Sequence, residues 1–163
     1  MQKALIPTAL LGLLLTGAIF GFFYAWVCST MWGLDAIDPH VAIQAMNGMN
    51  ASVRNAVFAP AFFGTPFVLG SVAQMARKEG HRQASWLFNS AAMIYLLLGV
   101  MLTGFANVPM NEALAATALP DDPAAAAQIW AEYSPRWQMF NIIRTAASGV
   151  SLLLVGLGLL KLR

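Results

Sequence analysis

Four apolar runs, each roughly 20 residues long, occupy most of the chain, and nearly all of its charges lie outside the runs or at their edges. About 20 apolar residues in a helix cross the hydrocarbon of a bilayer, so runs of this length read as membrane-spanning helices. They cover about 4–31, 56–76, 84–106 and 136–160, and none shows the alternating ten-residue pattern of a membrane barrel. With 59% of residues hydrophobic and 10% charged, an ordinary water-soluble domain is excluded. The expected fold is all-α: an integral membrane four-helix bundle forming one transmembrane domain over residues 1–163.

The connections carry their own signals. Gly33 to Pro39 reads as a break after the first span, with Asp38 as an N-cap and Pro39 in the first turn of an amphipathic helix over about 39–55. His40, Gln44, Asn47, Asn50 and Arg54 fall on one side of it, opposite Val41, Ala42, Ala45, Met46, Met49 and Val53. Such a helix either lies at the membrane interface or acts as a lid over the bundle mouth. Pro60, Gly64, Pro66 and Gly70 predict a kinked second span. In the third, Asn89, Met93, Leu96, Val100, Thr103 and Asn107 share one face, and Asn107-Val108-Pro109-Met110-Asn111 reads as a proline turn ending the span. Asp121, Asp122 and Pro123 then start a second short helix over about 123–133.

Charge placement predicts an orientation. With the amino terminus cytoplasmic, Lys3, Arg77, Lys78, Arg82, Lys161 and Arg163 lie inside and only Arg54 and Arg136 lie in the outer connections, as the positive-inside rule requires. Both termini are then cytoplasmic, in the inner membrane if the cell is bacterial. The run after Lys3 is too long for a signal peptide and reads as a retained helix. The net charge of +2 is scattered and not gathered into a basic patch, so nucleic acid is not expected as a partner. Cys28 stands alone, which excludes an intrachain disulfide and suggests a packed thiol. Gly17, Gly21, Gly149, Gly156 and Gly158 offer close-packing faces, within the bundle or between chains of a homo-oligomer or larger membrane complex.

One residue breaks the separation of charge from apolar sequence. Arg144 sits inside the fourth run, on a stripe with Trp137, Asn141, Ser148 and Ser151, while Ile142, Ala146, Leu153 and Leu157 fall elsewhere around the helix. An intramembrane arginine costs about 3 kcal/mol or more and demands an inward-facing partner. Lying about 12 Å below Arg136 at 1.5 Å per residue, it is expected to meet Asp35 first, then Asn107 and Asn111. The functional residues expected are Arg144, Asn107, Asn111, Asn141, His40 and Asp35. Tyr24, Trp26, Trp137 and Phe140 are expected to form the aromatic walls of an outward-opening pocket for a flat, quinone-like molecule. No metal site is expected: His40 and His81 fall on opposite sides of the membrane, and the methionines read as packing.

Phe22-Phe23-Tyr24-Ala25-Trp26, Met31-Trp32-Gly33-Leu34, Asn107-Val108-Pro109-Met110-Asn111 and Trp137-Gln138-Met139-Phe140-Asn141-Ile142-Ile143-Arg144-Thr145 together resemble the anthrone oxygenase family of small membrane proteins, in the same order along nearly the whole chain. The resemblance implies conversion of an anthrone to an anthraquinone with no metal or flavin cofactor. It further implies that Arg144, Asn107 and Asn111 stabilise a substrate anion, that His40 or Asp35 takes the proton, and that Trp26, Trp137 and Phe140 stack on the rings. The alternative is a non-catalytic bundle that binds a lipid or quinone, or an accessory subunit of a membrane complex. A transporter is disfavoured by the lack of an inverted repeat.

Overall fold

The computed structural model describes residues 2–162, and the side chains of residues 4–162. The described chain is helical, without strands, and four helices are long and apolar enough to cross a bilayer. We number the helices α1 (Ala4–Asp35), α2 (Pro39–Ser52), α3 (Phe58–Lys78), α4 (Arg82–Ala116) and α5 (Pro123–Leu160). All but α2 are the spanning helices.

Three of them run further than the sequence suggested. α1 passes through Gly33 to Asp35, because Met31 and Leu34 on either side of the glycine are buried and that packing offsets a helical glycine's cost of about 1 kcal/mol. α4 does not stop at Asn107: its backbone widens into π-helical turns over Tyr95–Met101 and Thr103–Asn107, then returns to α-helix over Val108–Ala116. A widened turn relieves the clash of the Pro109 ring with the preceding turn, so the expected proline turn is a continuous helix. α5 likewise runs unbroken through Pro135, merging the helix expected over 123–133 with the last span. Trp130, Tyr133, Ser134 and Trp137 are all buried, so packing holds the helix on both sides of that proline.

Local signals were read more directly by the backbone. Asp38 caps α2, its Oδ1 accepting the backbone N–H of His40 at 2.8 Å and of Val41 at 3.4 Å. The bond from His40 is the main reason the Asp38 carboxyl sits below its ordinary pKa. α2 ends at Ser52, short of the expected Asn55, and Asn55 instead accepts the N–H groups of Val57 and Phe58 at 2.8 and 2.9 Å at the start of α3. α3 is then one unbroken α-helix through Gly64, Pro66 and Gly70.

The two ends of the bundle differ. At the basal end Leu5, Ala9, Val72, Ala76, Ala84, Phe88 and Val155 form an apolar core, which brings the start of α1, the α3–α4 turn and the end of α5 together. A Cβ added at Gly158 would stand 2.9 Å from the Phe88 ring, one at Gly12 2.8 Å from Leu69, and one at Gly149 3.1 Å from Phe20. Among the glycines expected to mark close approaches, Gly149 and Gly158 do so, whereas Gly21 and Gly156 have nothing within 4 Å and Gly17 only an ordinary contact.

At the opposite, capped end α2 lays Ala42, Ile43 and Met46 against Met31, Leu114, Trp130 and Trp137. Met31 and Met46 are fully buried there as packing groups. Cys28 is exposed on the outer surface of α1 and not packed. The inward face of α4 also differs from the expected one. Asn107 is buried and Thr103 faces the bundle as expected, but Asn89 and Met93 are exposed and Phe88, Ala91, Tyr95 and Gly99 are buried in their place, because the π turns between the two halves shift the helical phase that a uniform 100° per residue assumes.

Candidate functional site

The polar stripe of α5 faces inward. Trp137, Asn141, Arg144, Ser148 and Ser151 are all buried, while Ile142, Leu153 and Leu157 are exposed on the lipid-facing side. Arg144, only 5% exposed, donates from Nη1 to Thr103 Oγ1 at 3.1 Å and from Nη2 to Asn141 Oδ1 at 2.8 Å. Its guanidinium carbon lies 4.5 Å from the ring centre of Phe23 and 5.2 Å from that of Trp137, within reach for cation–π attraction. Asn141 is held in turn by donating to the Phe23 carbonyl at 3.1 Å, which ties α5 to α1.

None of these partners is an anion. Among the described residues the ion pairs are Asp38–His40 and Arg54–Glu112, neither of which includes Arg144, and Arg144 Nε is buried without a hydrogen-bond partner. A guanidinium does not shed its proton in a protein, so the positive charge remains. Its neighbours satisfy part of its hydrogen bonding and leave its charge uncompensated.

The partners expected for Arg144 are used elsewhere. Asp35 accepts from Trp130 Nε1 at 2.9 Å, Ser134 Oγ at 2.6 Å and Gln138 Nε2 at 2.9 Å, pinning the end of α1 to α5. Because α1 keeps its helical course to Asp35, that carboxylate stops at the level of Ser134, about 15 Å of helix short of Arg144. Asn111 is a second hub. It donates to Asn50 Oδ1 at 3.0 Å, and its Oδ1 accepts from Tyr133 at 2.8 Å and from Trp137 Nε1 at 2.9 Å. Asn107 donates to the Trp137 carbonyl at 3.4 Å, and its Oδ1 is buried without a partner.

Beside Arg144 opens a cavity of about 560 Å³, within the usual range for small-molecule sites. Phe22, Phe23, Trp26 and Trp137 form one part of its wall, and Phe58, Phe62 and Phe63 of α3 form another. The rings pack closely: Trp26 and Trp137 at 5.0 Å between centres, Phe22 and Phe58 at 4.9 Å, Phe58 and Phe62 at 5.2 Å. The polar lining falls at two levels, Arg144 with Thr103 at one, and Asn50, Arg54, Asn55 and Asn111 toward α2 at the other. Thr103 and Asn111 are separated by about 12 Å of helix, so the cavity is an aromatic slot with hydrogen-bonding groups at both ends.

Some expected residues do not reach this slot. Tyr24 is exposed on the outer surface, stacked on Phe20 at 5.8 Å. Phe140 is half-buried and lies outside the lining, as do His40, Asp35, Asn107 and Asn141. His40 sits near the start of α2, with Nδ1 3.2 Å from Asp38 and Nε2 2.8 Å from the Pro120 carbonyl, where it ties α2 to the connection before α5. Among the described residues no three His, Cys, Asp or Glu side chains gather in one place. Sequence reasoning missed Thr103 as the partner of Arg144, and it missed the phenylalanines of α3. The i, i+4 spacing of Phe58 and Phe62 directly after a capping asparagine was the available signal.

The sequence profile described as anthrone oxygenase matches residues 52–154, from the end of α2 to well past Arg144. The chain belongs to the anthrone oxygenase family. The matched region holds Arg144, Thr103, Asn111, Trp137 and the aromatic wall from α3, whereas Phe22, Phe23 and Trp26 are contributed from before it. No curated protein and no solved structure matches the chain. Membership of the anthrone oxygenase family suggests an oxygenase-like role for this membrane bundle.

Proposed function

We propose that the chain is a cofactor-independent oxygenase of flat aromatic substrates of the anthrone or hydroquinone type, with the slot beside Arg144 as its active site. The observation that carries the proposal is the buried, charge-uncompensated guanidinium at one end of an aromatic-lined cavity. Such a site favours a planar ligand that carries or develops an oxyanion.

An anthrone meets that description. Loss of a methylene proton delocalises negative charge onto its carbonyl oxygen, and the nearby positive charge of Arg144 lowers the pKa of the bound substrate. Neither His40 nor Asp35 lines the slot, so in this reading water at the mouth takes the proton, in place of the bases first expected. The anion gives one electron to dioxygen, and the resulting radical and superoxide combine through a new C–O bond to a peroxide that takes up a proton. Loss of water, with the second methylene hydrogen leaving as a proton, breaks the O–O bond and yields the quinone carbonyl. The sum is anthrone plus dioxygen to anthraquinone plus water. Thr103 and Asn141 hold the guanidinium in place, the remaining N–H of Asn111 is a donor for a substituent at the other end, and Trp26 and Trp137 flank the rings.

In this reading the bundle lies in the cytoplasmic membrane with both termini inside and the slot toward the outer face. Exposed Phe63 on the slot wall offers a route for an apolar substrate arriving from the bilayer. The test is oxygen uptake and quinone absorbance with emodin anthrone, using metal-stripped protein and an Arg144→Gln variant shown to be folded. Uptake with one quinone formed per dioxygen, lost in the variant, is the expected result. A folded wild type with no rate above the spontaneous reaction overturns the oxygenase reading in favour of a non-catalytic lipid- or quinone-binding bundle.

A further inference from the structure

A second recess lies at the basal end, far from Arg144. It has two adjoining parts, of about 250 and 340 Å³, which share Arg77, Ser85 and Trp86 as lining. Arg77 is near the last turn of α3 and Arg82 is at the first turn of α4, so the α3–α4 turn sets two guanidinium groups beside one cleft. The ion pairs among the described residues involve neither arginine. Glu79, the acid of this turn, lines neither part.

The charged lining is confined to the outer part of the cleft, and inward of it lie the amides Gln74 and Asn89 with Ala73 and Gly70. Trp86 is 69% exposed one turn into α4, where a tryptophan suits the headgroup level of a bilayer. On α3 the recess continues past Ala73 to Gly70, about 10 Å further into the bundle along the helix axis. A Cβ at Gly70 would meet nothing within 4 Å, so the groove beside it is open. Cationic donors at the membrane surface, an interfacial indole, two amides about one turn further in and open space at Gly70 match one kind of ligand in sequence.

We propose that this cleft binds an anionic phospholipid. Arg77 and Arg82 take the phosphate, with the Ser85 hydroxyl as a further donor, and an acyl chain lies over Ala73 and Gly70. Guanidinium groups suit this role through their planar donor geometry, and basic pockets at the ends of spanning helices recognise phosphate headgroups in this way.

The test is native mass spectrometry of the detergent-purified full chain with phosphatidylglycerol, or with phosphatidylcholine of the same acyl chains. Preferential retention of phosphatidylglycerol is expected, with affinity falling roughly tenfold or more in the Arg77→Gln/Arg82→Gln double variant. Both side chains are exposed, so the variant keeps its fold. Arg136→Gln, at the capped end, serves as the control and leaves retention unchanged. Gly70→Leu fills the groove and is expected to weaken the lipid while sparing any binding of soluble glycerol 1-phosphate. Equal retention of the two lipids, or full retention by the double variant, overturns the proposal. Binding of glycerol 1-phosphate as tight as that of the lipid overturns the lipid assignment in favour of a soluble phosphate.

Discussion

The basal and capped ends of the bundle solve opposite problems with the same helices. At the basal end alanines, glycines and aliphatic side chains let backbones approach closely, and Phe88 fills the space that Gly158 leaves. At the capped end the helices are held apart by aromatic rings and tied by side-chain hydrogen bonds through Asp35, Asn111 and Asn141. Close packing leaves no room for a ligand, whereas rings braced by polar hubs leave a slot of about 560 Å³. Lipid tails are as apolar as leucine, so neither end gains much from hydrophobic burial inside the membrane. Packing holds one end and hydrogen bonding holds the other.

This division predicts separable losses. Arg144→Gln should lower anthrone turnover by about a hundredfold or more while reducing stability by no more than about 1 kcal/mol, since an unpaired buried charge goes with the lost bonds. Steady-state rates paired with thermal unfolding in detergent measure both, and a collapse of the fold would make Arg144 a structural pin. Gly158→Val should do the reverse. The added atoms press on Phe88, costing roughly 1–3 kcal/mol of stability, with turnover per folded molecule unchanged.

Asn55→Ala removes the acceptor for Val57 and Phe58 at the start of α3, a cap worth about 1 kcal/mol. Because Phe58 is part of the slot wall, KM should rise more than kcat falls, and equal changes in the two would show that the cap does not position the wall. The smallest effect on turnover is expected for His40→Ala. Its ring ties α2 to Pro120 outside the slot, so rates over a range of pH should match the wild type. A lost fall in rate on the acid side of the pH profile would restore His40 as the proton acceptor.

The amino-acid sequence by itself determined the four spans, the capping of α2 by Asp38 and the inward polar stripe through Arg144. Each follows from a local or periodic cause: the thickness of a bilayer, an oxygen next to free N–H groups, and 3.6 residues per turn. Tertiary structure decided which groups meet. It carried α1 through Gly33 and α5 through Pro135 because buried neighbours on both sides outweigh a local break. It rephased the first half of α4 through π turns, and by keeping α1 helical to Asp35 it held that carboxylate at the level of Ser134, so that Thr103 and not Asp35 meets Arg144. It also turned Tyr24 outward and brought Phe58 and Phe62 in from α3. Those outcomes depend on contacts between residues far apart in the chain, and helical periodicity holds no information about the partner across the bundle.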